Sequence, residues 1–166
     1  MKTYSIRPAT EADLPAVRAL LQATWHATYD PIFGAEQVAA ISAQWHALDA
    51  LRADLRSPRS VFLVARDGTS ILGTASARNL TSGDVTLGRL YVLPTAQGYG
   101  IGTALLDAVL AAFDDVRRVT LDVEPRNFGA IAFYEHHGFH RIAIEERENA
   151  GVKEPTAVFE KHLTPK

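Results

Sequence analysis

The chain has no cysteine in its 166 residues, which excludes disulfides, thiolate nucleophiles and cysteine-based metal sites. It has no excess of either charge: 17 Lys and Arg against 19 Asp and Glu leave a formal net charge of -2. The concentrated basic face that a nucleic-acid binder needs is therefore not expected. No apolar run approaches the roughly 20 residues of a membrane span. Met1 to Ile6 has no apolar signal core, so the expected location is cytoplasmic, with no membrane partner. No pair of histidines has metal-ligand spacing, since His136 and His137 are adjacent and face differently, and no metal is expected.

What is present suits one core: 47% of the residues are hydrophobic, and no linker, repeat or low-complexity tract divides the chain. A single domain over residues 1–166 is expected. Tyr4 to Arg7 reads as a strand interrupted by Pro8, and Thr10 as the cap of a helix carrying Leu14, Val17 and Leu21 at helical spacing. The segment around Trp25, His26, Tyr29, Asp30 and Pro31 breaks that pattern and reads as a loop. A helical region in two pieces follows, from Ala35 to Leu55. Val61 to Arg66, Ile71 to Arg78 and Val85 to Leu93 read as a three-strand meander, closed by Pro94. Ile101 to Phe113 reads as a well-buried helix, Val119 to Val123 as a strand, and Asn127 to His137 as a helix ended by Gly138. Phe139 to Glu146 and Thr156 to Leu163 complete the sheet. A helix in place of a turn after the third meander strand predicts parallel pairing of that strand with the next. The fold class is thus α/β: a mixed, mostly antiparallel sheet with helices on both faces.

The most informative segment is Gln97-Gly98-Tyr99-Gly100-Ile101-Gly102-Thr103, which follows a strand and opens a helix. At such a junction several backbone N–H groups lack partners and the helix dipole adds positive potential, so a phosphate can be held without a lysine. Glycines let the backbone approach the ligand. The Walker pattern fails for want of lysine, and the dinucleotide pattern fails because Thr103 stands where its third glycine belongs. The Q/R-x-x-G-x-G/A pattern is satisfied by Gln97, Gly100 and Gly102. A plain glycine-rich turn is the alternative.

Leu90-Tyr91-Val92-Leu93-Pro94 running into this cradle resembles the acetyl-CoA motif of the GNAT superfamily of N-acetyltransferases. A second motif of that family is matched by the run from Asn127 through Phe133-Tyr134 to Gly138-Phe139, one strand later. The resemblance implies a splayed parallel strand pair, with acetyl-CoA as cosubstrate and its pantetheine arm between the strands. It places the backbone of Leu90, Tyr91 and Val92 along that arm, with the Val92 N–H a candidate donor to the thioester oxygen. It places the pyrophosphate on amides from Gly98 and Tyr99 through Gly100, Ile101 and Gly102 to Thr103, next to Gln97. Asn127, Ala130, Phe133 and Tyr134 would line the arm from the next helix. Ordinary strand packing is the other reading for Leu90 to Val92, helix surface for Thr103, and a helix N-cap for Asn127.

The same resemblance makes Tyr134 a general acid, giving a proton to the departing CoA thiolate; core filling is its other reading. An alkylamine must lose a proton before it attacks. Many family members supply a glutamate for this on the strand before the cradle, but Thr86 to Tyr91 contains no acid. Glu124 at the end of the next strand is the first substitute, acting directly or through water. Asp122 projects to the same strand face, and a solvated strand end is the plain reading of both. Trp25, His26 and Tyr29 are candidates for the acceptor side. The expected function is transfer of an acetyl group to a primary amine of a small molecule or peptide, by direct attack in a ternary complex. A non-catalytic acyl-CoA-binding sensor or regulatory module is the alternative, and a homodimer is a possible assembly.

Overall fold

The computed structural model describes residues 3–149 and 151–164. Strand β1 (Ser5–Pro8) leads through a short turn of 3-10 helix (Glu11–Asp13) into α1 (Leu14–Phe33), α2 (Ala35–Trp45) and α3 (Leu48–Arg56). The meander β2 (Ser60–Asp67), β3 (Ser70–Thr81) and β4 (Asp84–Val92) comes next. Then follow α4 (Ile101–Ala111), β5 (Arg118–Val123), α5 (Phe128–His136) and the hairpin β6 (His140–Asn149) and β7 (Val152–His162). The strands form one seven-stranded sheet in the order β1-β2-β3-β4-β5-β7-β6. Every pair is antiparallel except β4 with β5, as the helix between them dictates.

Both faces of the sheet are covered, and the alternation along β2 shows how. Leu63 and Ala65 point to one face, where they meet Ile101, Leu105 and Val109 of α4 and Tyr134 of α5. Phe62 and Val64 point to the other, against Leu14, Val17 and Leu21 of α1 and Leu51 of α3. A third apolar group, Trp25, Tyr29, Val38 and Ile41, packs α1 onto α2. The entry to α1 is fixed by the Asp13 carboxylate. It accepts from the Thr10 N–H at 2.8 Å and from both terminal nitrogens of Arg7 at 2.7 and 2.9 Å. That pairing with Arg7 holds the carboxyl at about 2, well below the usual carboxylate range.

One sequence expectation fails. The segment from Trp25 to Pro31 is not a loop; α1 runs straight through it. Leu21, Trp25 and Tyr29 continue the four-residue spacing of the buried stripe, and burial of the last two against α2 outweighs the propensity of Pro31. Pro31 stands in the last turn, so the one bond its missing N–H removes lies at the helix end. Gly34, at φ 85°, is what ends the helix. Trp25, His26 and Tyr29 therefore lie on a rigid element.

Candidate active site

The parallel ladder between β4 and β5 is short. It pairs Asp84 through Leu87 with Arg118 through Leu121 and stops there. Its end coincides with a β-bulge: Leu87 stands opposite Ala77 and Arg89 opposite Ser76, leaving Gly88 unpaired. A bulge bends its strand, and beyond it the two strands separate. A cavity of about 670 Å³ occupies the gap.

Backbone alternation decides what the gap is lined with. The Leu93 N–H bonds the Leu72 carbonyl at 2.8 Å, and Val92 is the next residue back, opposite Gly73. In an antiparallel ladder bonded and non-bonded pairs alternate, so Val92 and Leu90 turn their N–H and C=O away from β3 and into the gap. The side-chain amide of Gln97 donates to that Val92 carbonyl at 3.0 Å. Tyr91 has the opposite orientation: its backbone is engaged by β3 and its side chain reaches toward α1 and α2.

The glycine segment closes one end of the gap. Gly98 and Gly100 have φ of 83° and 80°, a region L side chains rarely adopt, and a β-carbon at either would meet nothing within 4 Å. The first intrahelical bond of α4 runs from the Ala104 N–H to the Gly100 carbonyl at 3.0 Å, and no side chain caps the helix. The N–H groups of Ile101, Gly102 and Thr103 thus converge on open space with the positive end of the helix dipole behind them. This is the fit expected for a pyrophosphate and pantetheine arm: unpaired donors at a helix start, leading into a strand with a free hydrogen-bonding edge. The Ile101 side chain is buried in the core and Tyr99 stands outside the cavity wall, so neither contributes its side chain to that wall's charge. The Thr103 hydroxyl is engaged with Nε2 of His137 at 3.0 Å. Nδ1 of His137 donates to the Phe133 carbonyl at 2.8 Å, which fixes the proton on Nδ1 when the ring is neutral.

Asn127 caps α5, its Oδ1 accepting from the Ala130 N–H at 3.2 Å, while its Nδ2 donates to the Tyr29 hydroxyl at 3.1 Å. Residues 98 positions apart thereby join α1 to α5 across the mouth of the gap. Behind Asn127, Ala130 and Phe133 line the cavity, and a β-carbon on Gly102 would touch the Phe133 ring at 3.4 Å. Tyr134 lines it too and is 9% exposed. Among the described residues no protein group hydrogen-bonds its hydroxyl. Burial, with Tyr91 and Tyr29 close by, pushes the Tyr134 phenol well up, so it keeps its proton at neutral pH. Burial raises Tyr29 and Tyr91 likewise.

The two candidate bases have different surroundings. The Glu124 side chain is 8% exposed, bonded to Nε of Arg126 at 2.7 Å, and is not part of the cavity wall. Asp122 is part of that wall. Partial burial, set against the opposing charge of Arg147 at 3.2 Å, raises the Asp122 carboxyl above its ordinary value. On the acceptor side Tyr29 lines the cavity, joined by Thr24 and Thr28 from the same helix. Trp25 is turned to a second cavity, and His26 bonds Asp30 at 2.8 Å away from both. Thr24, Thr28 and Arg89 are among the wall residues that sequence reasoning missed. The signal for Arg89 was a lone charge inside an otherwise apolar strand, and for the threonines only their helical spacing from Tyr29. Among the described residues no group of three His, Asp or Glu is placed to hold a metal ion, and no helix is long and apolar enough to cross a membrane.

A splayed parallel pair whose open strand edge runs into a glycine-cushioned helix start defines an acyl-CoA-binding α/β domain. The model of the acetyltransferase (GNAT) family matches residues 15–139, and the chain belongs to that family. It is 39% identical over 92 residues to a mycothiol acetyltransferase of Geodermatophilus obscurus, covering 51% of this chain and 30% of that protein. It is 39% identical over 87 residues to an uncharacterised N-acetyltransferase of Mycobacterium tuberculosis, covering 51% of this chain and 56% of that one. These matches span between about a third and a half of the relatives' length. The PaiA N-acetyltransferase of Thermoplasma acidophilum, solved with coenzyme A, shares the fold at a TM-score of 0.81 and 21% identity, over 97% of this chain and 99% of that one. The ribosomal-protein-S18-alanine N-acetyltransferase of Escherichia coli does so at 0.74 and 19%, over 99% and 96%.

Proposed function

We propose that this chain is an acetyl-CoA-dependent N-acetyltransferase acting on a primary amine of a small molecule or peptide, by direct attack in a ternary complex. One observation carries the reading: the free edge of Val92, the unbonded hydroxyl of Tyr134 and the carboxyl of Asp122 line one cavity. A binding module has no need of that combination.

Acetyl-CoA would supply the acetyl thioester. The amides of Gly98 to Thr103 hold its phosphates, and the Leu90 and Val92 backbone groups hold the arm. The Val92 N–H faces the gap and donates to an oxygen that gains negative charge there. Asp122, with its carboxyl raised, accepts the proton that the amine must lose, directly or through water. Asp122 takes precedence over Glu124 because it lines the cavity and Glu124 does not, although each carboxylate has an arginine partner. Tyr134 holds its proton in apolar surroundings and gives it to the departing thiolate. With no cysteine in the chain to carry the acyl group, the amine itself attacks.

The test follows CoA thiol release from acetyl-CoA over a panel of polyamines, amino acids, aminoglycosides and N-terminal peptides, with calorimetry of acetyl-CoA binding alongside. Release that depends on one amine class and is lost in Tyr134→Phe is the expected result. Silence across the panel, with acetyl-CoA still bound, would count for a binding module instead.

A further inference from the structure

A second cavity of about 530 Å³ lies on the α1–α3 face of the sheet, beside β3 and β4. Gly88, Arg89 and Tyr91 line both it and the gap. The bulge at Gly88, which has no side chain, is therefore where the two spaces meet.

Its charge is unbalanced. Asp54 is the one carboxylate among its lining residues, and it is shared between two guanidinium groups: Oδ1 accepts from Arg78 at 3.0 Å and Oδ2 from Arg89 at 2.5 Å. Arg78 is half-exposed, whereas the Arg89 side chain is only 14% exposed and packs over the Phe62 ring. Arg89 spends Nη1 on Asp54 and on Ser76 Oγ at 3.4 Å. Its Nε and Nη2 have no protein acceptor among the described residues, yet neither is sealed off from open space. Two donors of a planar fork, nearly buried and unpaired, form a receptor for a planar oxyanion. His46 does not add to the charge: burial, then the nearby Arg89, lowers it to about 4, and it bonds Ser42 at 2.7 Å. The opposite wall is aromatic. Trp25 and Trp45 meet edge to face at 5.4 Å, and Trp45 is partly exposed.

We propose that this cavity anchors the acceptor and selects a small-molecule amine that also carries a carboxylate, seated on Arg89 with its apolar body against Trp25 and Trp45. The amine end then reaches past Gly88 toward Val92 and Tyr134. The placement of the amine rests on the acetyl-transfer reading; the carboxylate site does not.

The chain has two tryptophans, and both line this cavity, so tryptophan fluorescence reports binding without catalysis. The native protein is titrated with 3-phenylpropionate and with its neutral amide, 3-phenylpropionamide. A saturable change at least tenfold tighter for the carboxylate is expected, with the difference lost in Arg89→Gln and retained in Arg78→Gln. Equal affinities, or no saturable change with either probe, would overturn the proposal on the native protein alone, whether or not Arg89→Gln folds. In the kinetic arm phenylalanine is compared with phenethylamine, and a kcat/KM at least tenfold higher for the amino acid is expected. Comparable turnover of both would overturn the acceptor assignment while leaving acetyl transfer intact. CoA release from no amine, with the carboxylate preference present in the titration, would count against the transferase reading and not against the anion site.

Discussion

The gap between β4 and β5 and the cavity under α1 to α3 are built from different materials. The gap is made largely of backbone: the free edges of Leu90 and Val92, the amides of Ile101 to Thr103 and the left-handed turns at Gly98 and Gly100. The second cavity is made of side chains brought together from α1, α2, α3, β3 and β4. A site made of backbone recognises what every reaction of the family has in common, a phosphate and an amide-bearing arm. A site made of side chains can be rewritten one residue at a time, and it is where the choice of acceptor is expected to reside.

The largest expected effect falls where the two regions meet. Tyr134→Phe removes a cavity-lining phenol hydroxyl that no protein group engages among the described residues, and kcat should drop by roughly a thousandfold with the acetyl-CoA dissociation constant unchanged. An equal loss of affinity would assign Tyr134 to the binding side instead. Next comes a stability difference confined to the side-chain-built region. His46 is held neutral, and its folded value of about 4 lies below the ordinary histidine value of 6.5. The unfolded chain then binds more protons between these two values, so stability is intact above about 6.5 and is lost as pH falls toward 4. At about 1.4 kcal/mol per unit the loss is about 3 kcal/mol. Urea melts at a series of pH values measure it, and His46→Asn should flatten the dependence.

Asp122→Asn should lower kcat/KM by roughly a hundredfold near neutral pH, at the lower end of acid–base contributions. It should also remove the acidic limb of the pH–rate profile. Because the Asp122 carboxyl is raised, that limb should lie above the ordinary aspartate range and the rate should climb with pH through it. Glu124→Gln should leave the limb in place; the reverse pattern would transfer the proton to Glu124. The smallest effect tests the cradle. Gly100→Ala forces a β-carbon into the left-handed region at a cost of about 1 kcal/mol, with no atom within 4 Å to clash. A melting-temperature shift of a few degrees and a severalfold weaker acetyl-CoA affinity by calorimetry are expected.

The same contrast governs what could be read from the sequence. The cradle was legible because its chemistry lies in contiguous glycines whose spacing alone sets the geometry, and the order of elements along the chain followed from local periodicity and turn residues. The parallel pair followed from the helix that separates Val92 from Arg118. The acceptor side was not legible, because its contacts are long-range. Asp54 and Arg89 are 35 residues apart, and Tyr29 and Asn127 are 98 apart. The segment around Trp25, His26, Tyr29, Asp30 and Pro31 reads as a loop because it breaks the local helical pattern. Tertiary burial of Trp25 and Tyr29 decided otherwise, and Gly34 ended the helix three residues later. Alternation put Asp122 and Glu124 on one strand face, but β5 ends at Val123 and Glu124 lies past it. Alternation could not show that Asp122 would stand at the cavity wall beside Arg147, with Glu124 away from that wall against Arg126.

The most direct test of the acyl-CoA site is amide hydrogen exchange resolved by NMR, with and without acetyl-CoA. Leu90 and Val92 present their N–H groups to the gap, whereas Tyr91 between them is already bonded to β3. The expected result is slowed exchange at Val92, Leu90 and the amides of Ile101 to Thr103, with Tyr91 unchanged. Protection that spares Val92, or that falls equally on Tyr91, would contradict the placement of the acyl arm along the open edge of β4.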